Sequence, residues 1–364
     1  MPATGLSRAE SGTAAEPRLA SDAVQSALLK LGARRAKSVL LFLSGHFNRN
    51  PAPAIHAAAR AAQTTQIAGC TAVGVYTDEQ WAINQPAAAA LVFGPDEGDA
   101  GAGELTPALS AADDDCLLSI ATPNGADRDW LAMPGRRIGA LAGDNNGRGP
   151  FPVWSSGKLL DAGRLDLHLP RKCRIVVSPG LTPLSPLVRV TQVSDFDLIR
   201  VGHRPALTAL VSQALPHLEA GQPFPWHRLL VARAASEPRL ALASGDYELL
   251  SVLGVSATRS LVIGGKLLEG DSVFSVLREP EVASAELDSK LRPAASEPKL
   301  RYVLLFSCAG RGPGFFDGRD ADWDSVRLRH PGIPLIGFYG NGEIASIGGR
   351  NRLLQFASVC ALAG

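Results

Sequence analysis

The sequence predicts an α/β protein built from two related halves, in which mixed β-sheets are covered by helices. Three observations lead there. Short, continuous apolar runs alternate with segments of helical periodicity, the pattern of strands buried on both faces and joined by crossover helices. One run, Val39-Leu40-Leu41-Phe42, recurs identically as Val303-Leu304-Leu305-Phe306. Each copy then passes through a polar, glycine-bearing turn, a helix candidate and a second apolar run ending in a glycine pair, Gly69 and Gly74 in one and Gly337 and Gly342 in the other. That shared order reads as an internal duplication.

Residues 1–20 are rich in Ala, Ser, Glu, Gly and Arg and lack the apolar stretch of a secretory signal, so they read as a disordered leader. A helix is expected over 21–31, with Val24, Leu28 and Leu31 at helical spacing and Gly32 as its stop. The apolar strand 39–43 follows and exits through Ser44-Gly45-His46. Pro51 and Pro53 suit the first turn of a helix over 54–62, which leads to the strand ending in Gly69-Cys70-Thr71. Acidic and glycine-rich loops are expected at 96–103 and 143–149. Further on, 187–193 alternates as a strand, 205–218 reads as a helix, and 247–255, 260–263 and 271–277 read as strands before a helix at 281–291. A boundary between Gly202 and Pro225 divides the chain into domains at 21–215 and 216–364.

The 364 residues with 46% hydrophobic content can bury a substantial core. Lys and Arg total 36 against 35 Asp and Glu, so no net field draws nucleic acid or an anionic membrane surface. No apolar run approaches the roughly 20 residues that cross a bilayer. Cys70, Cys116, Cys173, Cys308 and Cys360 are odd in number and widely spaced, the pattern of reduced thiols in a cytoplasm.

Paired β-α-β units place both strand exits on one sheet edge, where open α/β sheets bind ligands. The candidates there are Ser44, His46, Gly69, Cys70, Thr71, Cys308, Arg311, Gly312, Gly337, Tyr339, Asn341 and Glu343. Glycines let backbone N–H groups approach a ligand. Arg311 offers a planar fork suited to a carboxylate and Glu343 an acceptor for an ammonium, so the two are expected to hold the ends of an amino acid, or else to bridge one another. Cys308, beside Arg311, is either a reactive thiol or a small buried hydrophobe. His46 occupies the turn that mirrors Cys308. The histidines form no H-E-x-x-H, no G-x-S-x-G occurs, and Glu343 stands where a phosphate loop needs Lys. No metal, cofactor or enzymatic activity is therefore expected.

The segments Phe306-Ser307-Cys308-Ala309-Gly310-Arg311-Gly312 and Pro334-Leu335-Ile336-Gly337-Phe338-Tyr339-Gly340-Asn341-Gly342-Glu343-Ile344 resemble the C-terminal domain of the FIST family. Gly202-His203-Arg204-Pro205-Ala206-Leu207 is similar to another family segment, as are residues 40–44 with Gly69-Cys70-Thr71. The resemblance covers about residues 37–350. It implies a sensor of small ligands, with amino acids the class usually proposed; with no kinase, cyclase or DNA-binding segment in the sequence, the chain is expected to report to a separate signalling protein or to act as a binding protein outright. This chain departs from the family in following Gly74 with Val75 rather than an acid, so the acid survives only as Glu343. The rival readings are a protein-interaction module using the same groove and an enzyme with Cys308 or Cys70 as nucleophile.

Overall fold

The computed structural model describes residues 1–10, 14–95, 106–108, 110–144, 146–169, 173–217, 224–292 and 299–364. They pack as two compact units, one of Met1–Ser178 with Leu287–Gly364 and the other of Pro179–Glu286. This division differs from the expected one at 215/216, because the second unit is inserted between two strands that belong to the first. The loop expected at 96–103 lies outside the described residues.

In the first unit the chain runs β1 (Ala3–Arg8), α1 (Arg18–Leu31), β2 (Ser38–Ser44), α2 (Ala52–Ala62), β3 (Ile67–Ala72), β4 (Gly74–Thr77), β5 (Trp81–Ile83) and β6 (Ala87–Phe93). It continues as β7 (Thr106–Pro107), β8 (Cys116–Ala121), α3 (Arg128–Ala132), β9 (Arg136–Leu141), β10 (Val153–Ser155), β11 (Lys158–Leu159), β12 (Arg164–His168) and β13 (Cys173–Ser178). The second unit holds β14 (Leu181–Pro183), β15 (Val188–Ser194), β16 (Asp197–Val201), β17 (Arg204–Pro205), β18 (Leu229–Ala234), α4 (Pro238–Ser244), β19 (Tyr247–Val255), β20 (Leu261–Ile263) and β21 (Ser272–Arg278). Then α5 (Pro280–Leu291), β22 (Tyr302–Cys308), α6 (Ala321–Arg329), β23 (Leu335–Gly340), β24 (Glu343–Ile347), β25 (Arg350–Leu354) and β26 (Ser358–Ala363) complete the chain.

The expected leader is corrected at once: β1 pairs antiparallel with β6 from Ala3↔Val92 to Arg8↔Ala87. Ala3 and Thr4 are buried, so this short segment of small residues is held by the sheet rather than by its own composition. The first helix also begins earlier than expected, at Arg18, and stops as expected at Gly32, which takes the left-handed conformation at φ 64°.

Among the described residues the first unit repeats one topology three times, not in two halves. The sheets run β1-β6-β2-β3-β10-β11, β7-β12-β8-β9-β24-β25 and β13-β26-β22-β23-β4-β5. In each, a parallel pair (β2/β3, β8/β9, β22/β23) is flanked by two antiparallel strands on one side and, on the other, by a hairpin that another repeat supplies. Each hairpin is handed to a neighbouring sheet, and the exchange closes in a cycle. Equivalent backbone hydrogen bonds mark the three crossings: Val73 N–H donates to Tyr339 O at 3.1 Å, Gly143 to Thr71 O at 3.3 Å and Asn341 to Leu141 O at 3.2 Å. The third copy escapes the sequence comparison because its strand Cys116–Ala121 shares the pattern but not the residues of VLLF.

Two layers follow. Phe42, Phe306 and Phe338 meet edge to face on the inner faces of the sheets, with ring centroids 4.9 to 6.3 Å apart. On the outer faces, α1 and α2 cover the first sheet through Val24, Leu28, Ile55 and Ala58, and Leu287, Leu291, Trp323 and Val326 of α5 and α6 cover the third. The residues 39–43 are thus buried on both faces, as their unbroken apolar run predicts.

The inserted unit is a closed antiparallel barrel in the order β21-β15-β16-β20-β19-β18, with β18 pairing back to β21. Val190, Leu198, Leu229, Val231, Leu250 and Leu261 fill it. Where a helix is expected at 205–218, the chain instead forms a π turn over Leu207–Val211 and a 3-10 segment over Ser212–His217; Leu218 lies outside the described residues. Pro216 inside the 3-10 segment removes a backbone donor and blocks an α-helical continuation.

Cys116 and Cys173, the first residues of β8 and β13, form a disulfide. This corrects the expectation of five reduced thiols: the partners are 57 residues apart, and only the sheet arrangement brings them together. Cys70, Cys308 and Cys360 are buried and outside any disulfide. No helix among the described residues is long and apolar enough to cross a membrane.

Glycine recurs at one position of every parallel pair, Leu41↔Gly69, Ser119↔Gly139 and Leu305↔Gly337. A Cβ there would lie 1.8, 1.8 and 1.7 Å from the facing carbonyl oxygen. At Gly337 it would also meet the Tyr76 ring at 2.6 Å. Gly337→Ala is therefore expected to cost about 3 kcal/mol or more in chemical denaturation, whereas Gly314→Ala, which meets nothing within 4 Å, stays near neutral.

Candidate functional site

The strand exits expected to hold the site are not one constellation but equivalent corners of the three sheets. Counting from the shared glycine register, Ser44 at the end of β2 corresponds to Cys308 at the end of β22 and to Thr122 after β8. His46 therefore corresponds to Gly310 and does not mirror Cys308. Gly69 and Gly337 serve the close approach of paired strands described above, which accounts for them without a ligand. Gly312 is similarly constrained, since a Cβ there would press on the Tyr339 ring at 3.2 Å.

The corner of the third sheet is a buried ionic cluster. Arg311 ends the 3-10 turn Ala309–Arg311 that follows β22. Its fork closes on Asp322 in the first turn of α6, with Nε 2.8 Å from Oδ2 and Nη2 3.0 Å from Oδ1. It also reaches Ser178, with Nη1 donating to the carbonyl at 2.7 Å and Nη2 to Oγ at 3.0 Å. The fork expected to grip a ligand carboxylate is thus spent on the protein's own acid, because α6 begins with its carboxylates turned to the strand exit. Asp320 caps α6 through an Oδ1 bond from Trp323 N–H at 3.0 Å and accepts the Tyr339 hydroxyl on Oδ2 at 2.5 Å. Tyr339 packs its edge on Tyr76, 4.9 Å between centroids.

Glu343 stands at the first position of β24, where the equivalent hairpins carry Val75 and Val153. One carboxyl oxygen accepts the Ala357 N–H at 3.2 Å, and the other is buried with no hydrogen-bond partner. The carbonyl of the same residue, Ala357, accepts the Cys308 N–H at 3.0 Å, so Cys308 and Glu343 both bond the backbone of one residue. Arg311, Asp320, Asp322 and Glu343 are each at most 2% exposed. With three carboxyls against one guanidinium in a dry interior, Asp322 pairs with Arg311 and burial raises all three carboxyls. Burial, reinforced by Asp322, pushes Asp320 up to about 7. Asp322 is raised by burial despite Arg311 beside it, and Glu343 is raised well above the usual carboxylate range by burial. Burial likewise pushes the Tyr339 phenol well up.

The corner of the first sheet is less charged. Ser44 Oγ accepts the Ala87 N–H at 3.0 Å and lies 3.2 Å from His46 Nδ1. His46 is half-buried, and that burial lowers its pKa. Cys70 is fully buried, with its thiol pushed well up by burial. Thr71 is buried with its hydroxyl unpartnered. Asn341 sits at the crossing of hairpins, its side chain against Gly143. The structure thus gathers Cys308, Arg311, Gly312, Gly337 and Tyr339 about the third sheet, with Glu343 reaching that corner from β24 of the second, and Ser44, His46, Gly69, Cys70 and Thr71 about the first. Sequence reasoning missed Asp320 and Asp322, although a signal exists: Asp320-Ala321-Asp322-Trp323 matches Asp127-Arg128-Asp129-Trp130, which caps α3 in the same way. Among the described residues no group of three or more His, Cys, Asp or Glu is arranged to hold a metal ion.

Two outcomes are expected. Asp322→Ala, which leaves Arg311 buried without its acid, costs about 3–5 kcal/mol in denaturation experiments. Asp320 holds in the folded state a proton that the unfolded chain releases near its ordinary value of 3.8. Its stabilising contribution is therefore full below that value and is lost as the pH rises through about 7. Asp320→Asn should gain stability relative to the unaltered protein between pH 5 and pH 8, and a constant difference across that range would refute the assignment.

Residues 212–346 match the family model described as the FIST C domain. An uncharacterised protein of Mycobacterium tuberculosis is 27% identical over 95% of this chain and 96% of its own length. Another, from Mycobacterium bovis, is 30% identical over 63% of this chain and 61% of its own. Human F-box only protein 22 is 27% identical over 31% of each chain. The Cys308 to Glu343 corner falls within residues 212–346, the span that is similar to the FIST C domain.

Proposed function

We propose that the protein is a small-ligand-binding sensory protein whose ligand, an amino acid or similar metabolite, is anchored by its ammonium group on Glu343. The observation that carries this reading is the unpartnered oxygen of Glu343, fully buried beside Cys308 and within the FIST C match. A buried carboxyl oxygen without a partner costs free energy that a donor from a ligand would recover. The family match supports a role in sensing and signal transduction, and the sensor would report to a separate signalling protein. The engagement of Arg311 by Asp322 and Ser178 revises the expected two-ended grip: the ammonium end is the anchored one. Binding is favoured over cysteine catalysis because burial pushes the Cys70 thiol up, away from the thiolate a nucleophile needs, and leaves Cys308 8% exposed.

A thermal-shift screen against amino acids, followed by calorimetry on any hit, tests the reading. Glu343→Gln should weaken a true ligand by about tenfold or more. Because burial raises Glu343 well above the usual carboxylate range, an ammonium ligand binds against a retained proton, so affinity should climb as the pH rises. Absence of any hit at millimolar concentration, or a hit indifferent to both Glu343→Gln and pH, sinks the proposal.

A further inference from the structure

The equivalent corners of the three sheets differ in how their helices begin. Asp320 caps α6 and Asp127 caps α3, each accepting the backbone N–H three residues on. The N-cap of α2 is Pro51, which is buried and has no side chain to offer. A buried helix start without a cap leaves first-turn donors, here Ala52 and Ala54, to be satisfied otherwise.

Two further buried donors lie on the face of the first sheet that α2 covers. Thr71 holds the register position of Tyr339, whose hydroxyl reaches Asp320 in the third sheet. Trp154 pairs with Gly69 as Tyr76 pairs with Gly337, and it therefore lies diagonally beside Thr71 on the same face of the sheet. Both side chains are completely buried, and Thr71 Oγ1 and Trp154 Nε1 have no hydrogen-bond partner. Two hydrogen bonds tie the corner together: Asn48 in the turn before α2 donates to Asp144 Oδ2 at 3.3 Å, and the adjacent Gly143 N–H donates to Thr71 O at 3.3 Å. Asn48 Oδ1 is buried and unpartnered too.

We infer that this corner of the first sheet is a binding site for a small carboxylate, which takes the place that the Asp320 carboxyl fills in the third sheet. Its oxygens accept from Thr71 Oγ1, Trp154 Nε1 and the first-turn amides of α2, and the positive end of the helix favours their charge. Asn48 Oδ1, an acceptor held by the bond its amide nitrogen makes to Asp144, suits a hydroxyl on the adjacent carbon. The class is thus a compact 2-hydroxycarboxylate. Its site is separate from Glu343.

Glycolate is the probe. In the full chain, millimolar glycolate should raise the melting temperature saturably and bind in calorimetry, with Thr71→Val and Trp154→Phe each weakening it about tenfold or more. Pro51→Asp supplies a carboxyl from the chain itself; it should stabilise the unliganded protein and abolish glycolate binding, while leaving any Glu343-dependent ligand unaffected. No binding by the unaltered protein, or binding that survives both Thr71→Val and Pro51→Asp, overturns the inference and leaves the corner as one that holds water only.

Discussion

The first unit depends on the cyclic exchange of hairpins, fixed by the three backbone hydrogen bonds from Val73, Gly143 and Asn341 to carbonyls of another repeat. A hairpin that completed its own sheet would leave three sheets that share no strand pairing. Handing it on ties the pairing of each sheet to another repeat and commits all three repeats to one cooperative structure. The glycines at 69, 139 and 337 follow from that arrangement. Each lies between a parallel partner and the incoming hairpin, where a carbonyl oxygen sits closer than any Cβ allows.

Repetition makes the differences between repeats informative. Three corners share a backbone, so a polar group in one and an apolar group in its equivalent cannot be attributed to the fold alone. Glu343 replaces a valine found at both equivalent positions, and the third sheet surrounds Arg311 with three acids of which Asp322 takes the fork. Such a cluster is costly to bury and costly to break. The third sheet carries this charge, while the first carries neutral donors about a helix that lacks its acidic cap.

Burial also redistributes the chemistry expected of single residues. Arg311 was the natural partner for a ligand carboxylate as long as its neighbours were unknown; Asp322, eleven positions on, is brought to it by α6 folding back over β22. Cys70 lies between an arginine-free strand and an apolar interior, and its thiol is stabilised against ionisation. In both cases the nearest groups in space are not the nearest in sequence.

By itself the sequence determined the α/β class, the buried strands at 39–43 and 303–306, the crossover helices after them and the turns where polar residues gather. These are local: apolar runs, helical spacing, proline at helix starts and glycine at stops are all properties of short segments. It also exposed two of the three repeats, through an identity in residues. Tertiary structure decided the rest. The third repeat is the same backbone path written in other residues. The strand Ala3–Arg8 exists because Ala87–Phe93 offers it an edge, and Cys116 meets Cys173 because their sheets adjoin. The partners of Arg311, Tyr339 and Glu343 come from segments distant in the chain. Each depends on which surfaces meet after folding, and spacing along a chain does not encode that meeting.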